Sequence, residues 1–217
     1  ELPTGCQTAL YRAMENRSVF VASGKDRSVK LPIADFSLFA ATTEEWQLLP
    51  PLRDRFQLIL PFSFYDEESL AKIVTQRAHQ SKIDLDAEVA PLIAMRSRGT
   101  PRLAIRLLDS CHRVARSEGA NCVTLELFAK TIDLEGLDEL GLGRDERRYL
   151  KFLAQHQGRS IRLQTIQAAL GLPPRTIQQV IEPYLSRLGL IERATQGRSI
   201  TPQGLQHLGL VSAEVNR

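Results

Sequence analysis

The sequence predicts a mostly α-helical chain with an α/β remnant at its start. Three observations carry this prediction. Residues 1–64 hold short β-type runs, two of them almost wholly apolar. Residues 65–135 repeat apolar side chains at helical spacing between clear caps. Residues 144–217 read helix, helix, turn, helix, β-ribbon, the order of a winged helix-turn-helix. Residues 136–143, glycine-bearing and acidic, read as a linker.

The elements follow in order. Residues 3–15 form a helix: Pro3 suits a first turn, Thr4 can cap, and Ala9, Leu10, Ala13 and Met14 share a face. Residues 19–22 and 29–31 are β-type runs around Ser23-Gly24-Lys25-Asp26, a hairpin signature. Gly24-Lys25 is not a phosphate loop, because Asp26 stands where Ser or Thr is needed and no glycine lies five residues before Gly24. Residues 36–41 and 58–62 read as strands buried on both faces, as in a parallel sheet. So few strands suggest the end of a larger α/β domain whose remainder would precede Glu1. A first residue other than Met suggests a fragment or a processed product.

Asp66 should cap a helix over 67–80 that turns Leu70, Ile73, Val74 and Ala78 inward, and Asp86 one over 87–96. Thr100-Pro101 is an N-cap followed by proline at the first helical position; that helix runs to Gly119. Thr124 opens a fourth. Beyond the linker, helices are expected over 145–156, 163–170 and 176–188, then strands over 190–193 and 198–201.

Composition sets limits. The 217 residues are 43% hydrophobic and 24% charged, as in ordinary globular proteins. No run of 18 apolar residues suggests a membrane span. Residues 144–217 hold 11 Lys and Arg against 5 Asp and Glu, leaving 17 against 20 in residues 1–143. A basic last third favours an anionic partner. Arg175, Thr176, Gln178 and Gln179 at the start of the third helix, with Arg193 and Arg198 in the ribbon, are residue types that contact DNA, although winged helices also bind proteins. Cys6, Cys111 and Cys122 lack CxxC spacing and read as buried or half-buried free thiols, suiting a reducing cytoplasm. His79, His112, His156 and His207 have no metal spacing, so no metal site is expected among them.

Taken together, Ala41-Thr42-Thr43, Pro51-Leu52-Arg53-Asp54-Arg55-Phe56, Arg98-Gly99-Thr100-Pro101-Arg102 and Glu182-Pro183-Tyr184-Leu185 resemble RuvB, the AAA+ motor family of branch migration at Holliday junctions. The resemblance covers essentially the whole chain. It implies the end of an AAA+ ATPase domain over 1–64, a helical lid over 65–135, a linker over 136–143 and a DNA-binding winged helix over 144–217.

The resemblance also implies roles. Arg55 matches the arginine finger that reaches a neighbouring subunit's ATP, and Thr42 the sensor that helps place the attacking water. Arg102 matches a second sensor on the γ-phosphate, and Tyr65 a nucleotide-contacting tyrosine. Glu15, Asn16 and Arg17 fall in a stretch near the nucleotide, although Asn16 and Arg17 depart from the usual residues. Val29 and Leu31 fall where the family presents an apolar hairpin to its RuvA partner. Arg193 and Arg198 match DNA-contacting arginines. Pro174 stands where another is frequent, with Arg175 one position on; Glu44 and Gln57 are further departures. The family implies ATP, Mg²⁺, a homohexamer, Holliday junctions with their duplex arms, a RuvA-like partner, a cytoplasmic location and no membrane. Its phosphate loop and Walker B motif would lie before Glu1, so this chain alone is expected to be inactive. Two alternatives are a clamp-loader or initiator-type AAA+ ATPase, and a stand-alone winged-helix DNA-binding protein.

Overall fold

The computed structural model describes residues 2–22 and 28–210, and the chain divides into two units, Glu1–Phe62 and Ser63–Arg217. In the first unit, α1 (Thr4–Asn16) follows Pro3, which has no side-chain oxygen to cap the first turn. Thr4 is the first helical residue and not the cap. The helix ends at Arg17, left-handed at φ 49°, whose N–H bonds back to Ala13 O. Strands β1 (Ser18–Ala22) and β2 (Ser28–Pro32) pair antiparallel, Val19 opposite Leu31 and Phe20 opposite Lys30. The turn expected at 23–26 lies outside the described residues.

Residues 36–41 and 58–62 are not strands. Phe36, Phe39, Leu58, Ile59, Leu60 and Phe62 are exposed, where two-sided burial was expected. The reason is physical. An apolar run states a side-chain preference, but a strand exists only through a hydrogen-bonded neighbour, and no described residue pairs with either run. After a 3₁₀ turn at Glu45–Gln47 comes a single helical turn, α2 (Pro50–Arg53), begun by two prolines whose φ suits a helix start.

The second unit holds two cores. Around the first pack α3 (Glu67–Gln80), β3 (Asp84–Leu85), α4 (Val89–Met95), α5 (Pro101–Ser117), β4 (Cys122–Val123) and α6 (Leu125–Glu135). Leu70, Val74, Ile93, Leu108 and Cys111 are buried there, following the helical period. Asp66 caps α3, its carboxylate accepting from Ser69 N at 2.6 Å, and Thr124 caps α6 through Leu127 N. Asp86 does not cap the helix that follows it. Its carboxylate accepts at 3.1 Å from Leu125 N, at the start of α6, because the parallel pairing of β3 with β4 brings that end alongside. Cys6 is exposed, against expectation, while Cys111 is buried and Cys122 half-buried.

The second core is built from α7 (Arg144–Gln155), α8 (Leu163–Leu170) and a helical run of α9 (Pro174–Thr176), a π turn at Ile177–Ile181 and α10 (Glu182–Arg187). Pro183 explains the π turn. Lacking an N–H and crowding the preceding turn, it cannot continue a regular α ladder, and the widened turn absorbs the fault. Strands β5 (Ile191–Ala194) and β6 (Gly197–Ile200) form the ribbon, and a further helix, α11 (Pro202–His207), capped by the Thr201 hydroxyl, follows it. Residues 136–143 are packed and not extended: Leu142 is fully buried and Asp138 accepts from Leu140 N and Leu142 N. No described helix is long and apolar enough to cross a membrane.

Candidate nucleotide and nucleic-acid sites

In the first unit the compact Leu52-Arg53-Asp54-Arg55 turn sits against α1. Leu52 is buried beneath it, and Arg55 reaches Glu15 Oε1 at 2.7 Å, an ion pair exposed on both sides. Arg53 pairs with Glu45 at 2.6 Å. Arg55 therefore stands at the surface beside one acid, not beside its neighbour Asp54. Thr42 is exposed, and its hydroxyl accepts from Glu44 N at 3.0 Å in a local turn. Among the described residues no hydrogen bond or ion pair joins Thr42 to Arg55.

Glu15 and Asn16 end α1. Arg17 faces Asp35 at 3.5 Å and lies over the Phe36 ring. Val29 and Leu31 alternate onto one face of β2, and both are exposed. Gln7 was not singled out by sequence reasoning. Its side chain is buried and holds the chain just before α2, for a polar residue on a modestly apolar helix gives no periodic signal.

In the second unit Tyr65 and Arg102 come to one loop. Tyr65 N donates to Gly99 O at 3.0 Å, and Arg102 lies exposed in the first turn of α5. Gly99 makes the approach possible. Its φ is +71°, and a Cβ there would meet Phe64 Cβ at 2.7 Å. The Thr100 hydroxyl points at Arg98 O at 3.4 Å and does not cap α5, which leaves first-turn N–H groups and the Arg102 cation facing outward together.

The same loop is fastened to the winged helix by Arg98, itself left-handed at φ 54°. Its guanidinium donates to Gly141 O at 2.7 and 3.1 Å, pairs with Glu146 at 2.9 Å and lies 4.6 Å from the Tyr184 ring centre. Arg187 returns the contact, donating to Arg98 O at 2.5 Å and lying over Phe64.

The Glu182-Pro183-Tyr184-Leu185 motif now has a physical reading. Leu185 is core, Pro183 sets the π turn, and the Tyr184 hydroxyl donates to Leu140 O at 2.7 Å. Glu182 is 0% exposed and accepts from Tyr149 Oη at 3.0 Å, Arg193 at 3.0 Å and Arg198 at 2.8 Å. The two arginines face one another across the ribbon, a like-charge pairing that a shared anion relieves. Burial, then the Glu182 carboxylate, holds the Tyr149 phenol well above its usual range; the hydrogen bond to Glu182 raises Arg198 further.

This bears on the ribbon arginines. Arg198, with a side chain 13% exposed, is turned inward onto Glu182, whereas Arg193 at 43% keeps an outward face. Sequence alone could not foresee it, because the counter-ion lies in a different element. Arg175, Gln178, Gln179 and Val180 form an exposed surface on the third helix.

Comparison with known proteins places these features. Models of the RuvB P-loop domain, the RuvB AAA lid domain and the RuvB C-terminal winged helix domain match residues 1–62, 65–138 and 139–209. A Thermotoga maritima RuvB variant of known structure superposes with a TM-score of 0.76 at 31% identity, over 99% of this chain and 67% of that one. The chain belongs to the RuvB family.

Another solved structure, the Thermotoga maritima RuvB Holliday junction branch migration motor, matches at TM-score 0.75 and 30% identity, over 97% of this chain and 67% of that one. Curated relatives include Holliday junction branch migration complex subunits RuvB of Methanoregula boonei, 41% identical over 93% of this chain, and RuvB 2 of a Synechococcus strain, 39% identical over 96%. The chain spans 61% and 57% of those two relatives' lengths. The RuvB match to all three stretches leaves a stand-alone winged helix without support.

Proposed function

We propose that this chain is part of a RuvB-type, ATP-dependent DNA motor that drives branch migration at Holliday junctions. The observation that carries the reading is Arg55, an exposed guanidinium in the turn that follows the one-turn helix α2, resting on the exposed Glu15. An exposed ion pair contributes only about 0–1 kcal/mol, so Arg55 can leave Glu15 at little cost for a more highly charged phosphate. Its role would be to neutralise charge developing on a nucleotide held by the neighbouring subunit of a homohexamer.

The residues present fit one edge of a nucleotide site. Tyr65 and Arg102 share the Gly99 loop, and the uncapped first turn of α5 favours an anion. They do not fit the whole of it, for the described sequence has no glycine-rich loop ending in Lys and Ser or Thr to cradle the β-phosphate. ATP with Mg²⁺ would supply the phosphoryl chemistry; Arg102 would bind, Tyr65 would orient, Thr42 would help hold the attacking water, and Glu15 would park Arg55 between cycles. Asn16 and Arg17 serve as the frame of α1 in this scheme.

The working division is an ATPase part over 1–64, a lid over 65–135, a packed connection over 136–143 and a winged helix over 144–217. Arg193 and Arg175 would contact backbone phosphates of duplex arms, giving affinity without sequence readout, while Arg198 would hold the ribbon in place. Val29 and Leu31 would meet a RuvA-like partner. The location would be cytoplasmic, and the chain alone would turn over no ATP. The test is steady-state ATPase of the full-length protein. Arg55→Ala should lower kcat about 10³-fold or more with KM little changed; unchanged turnover removes the finger assignment.

A further inference from the structure

We propose that Gln7 is a positioning residue for Arg55, a role that rests on Arg55 acting as the finger. Gln7 is 6% exposed, a buried amide on a small unit, and each of its polar atoms is used. Oε1 accepts from Leu49 N at 2.8 Å; Nε2 donates to Leu2 O at 3.0 Å and to Gln47 O at 3.3 Å.

The location of these bonds is what matters. Leu49 is the residue before α2, and the next two residues are Pro50 and Pro51, which have no N–H. Leu49 N is thus the last backbone donor by which the start of α2 can be held, and Gln7 holds it. Gln47 O, two residues earlier, is fixed by the same amide. From this clamp the path to Arg55 is short and rigid. Arg53 N bonds to Leu49 O, Asp54 N to Pro50 O and Arg55 N to Leu52 O, while Leu52 is buried.

Helix α1 therefore grips the segment twice. Gln7 fixes its entry, and Glu15, eight residues and about 12 Å further along the helix, meets the Arg55 side chain. The two grips differ in kind. The Glu15 pair is exposed and exchangeable, whereas the Gln7 bonds are buried and costly to leave unmade. Gln7 is the fixed pivot, and the Arg55 side chain is the end that moves. A guanidinium displaced by about 1 Å from its transition-state position can cost roughly a hundredfold in rate.

The experiment uses the full-length protein and the near-isosteric Gln7→Met, which removes the bonds and keeps the volume. Expected are a kcat about 10- to 100-fold lower, a KM for ATP within about twofold of the parent, and no further loss when Gln7→Met is added to Arg55→Ala. Mixing Gln7→Met subunits with subunits whose phosphate-loop lysine is replaced should restore turnover, since the second kind carries an intact finger. If Arg55→Ala is inactive and Gln7→Met turns over within twofold of the parent, Gln7 has no such role. Full turnover by Arg55→Ala instead removes the finger reading itself. Additional loss in the double variant, or no recovery in the mixture, assigns Gln7 to general stability and overturns the proposal. Should Gln7→Met fail to assemble, Gln7→Leu, which likewise removes the bond to Leu49 N, is used in the same mixture with the same two outcomes.

Discussion

Replacing Glu182 by alanine should destabilise the winged helix severely, and the structure sets the size. Glu182 is fully buried and serves three partners at once. Its removal strands the Arg198 cation, 13% exposed, and the buried Tyr149 hydroxyl. Breaking a buried pair from one side costs about 3–5 kcal/mol, chiefly because the remaining charge is unpaired. For a unit of this size each kcal/mol lowers Tm by roughly 2–4 °C, so a loss of roughly 6–20 °C is expected. Arg193→Ala removes a half-exposed partner and should cost no more than about 1 kcal/mol. Thermal and urea unfolding followed by far-UV circular dichroism measures both. The reasoning is refuted if Glu182→Ala shifts Tm by under about 2 °C, or if Arg193→Ala costs as much as Arg198→Ala.

Three further outcomes are expected. In salt titrations of duplex binding, Arg193→Ala should reduce the log–log slope by about 1, and Arg175→Ala likewise; Arg198→Met should leave the slope of the folded fraction unchanged. Gly141→Ala should destabilise the second unit by more than about 3 kcal/mol in urea melts, because its φ is +70° and a Cβ would lie 2.2 Å from Arg96 O. With a thiol reagent at pH 8, Cys6 should react at once and Cys111 only on unfolding, as burial raises the Cys111 thiol to about 11. The folded-state value lies above that of the unfolded thiol, so the same residue makes stability fall as pH rises above about 9.

Much of the fold was legible where a signal is local. The α3 and α6 boundaries follow from Asp66, Thr124 and Gly136, because an N-cap oxygen and a left-handed glycine act within one turn. The apolar runs at 36–41 and 58–62 misled because strand formation depends on neighbours that the run itself does not contain. Asp86 misled because its nearest helix in sequence was not its nearest helix in space. The candidate site divides in the same way. Arg55 and Arg102 sit on motifs whose local geometry is short-range, just after α2 and at the start of α5. The anchoring of Arg198 by Glu182, and the hold of Gln7 on Leu49, are long-range pairings between polar residues with no period to betray them.

Arg98 adds a physical link between the two cores of the second unit. It stands in the Gly99 loop beside Tyr65 and Arg102, yet its guanidinium bonds to Gly141 and Glu146 of the winged-helix side. These part-buried bonds tie the loop directly to the winged-helix core. A charge-assisted hydrogen bond is worth about 1.5–3 kcal/mol, so separating the loop from that core has a definite cost.

The most direct test of the central claim is branch migration of a synthetic Holliday junction by the full-length protein, with its RuvA-type partner supplied. The account predicts ATP-dependent conversion to duplex products that is lost with Arg55→Ala while junction binding is retained. Conversion that proceeds undiminished with Arg55→Ala, or that requires no ATP, would contradict it.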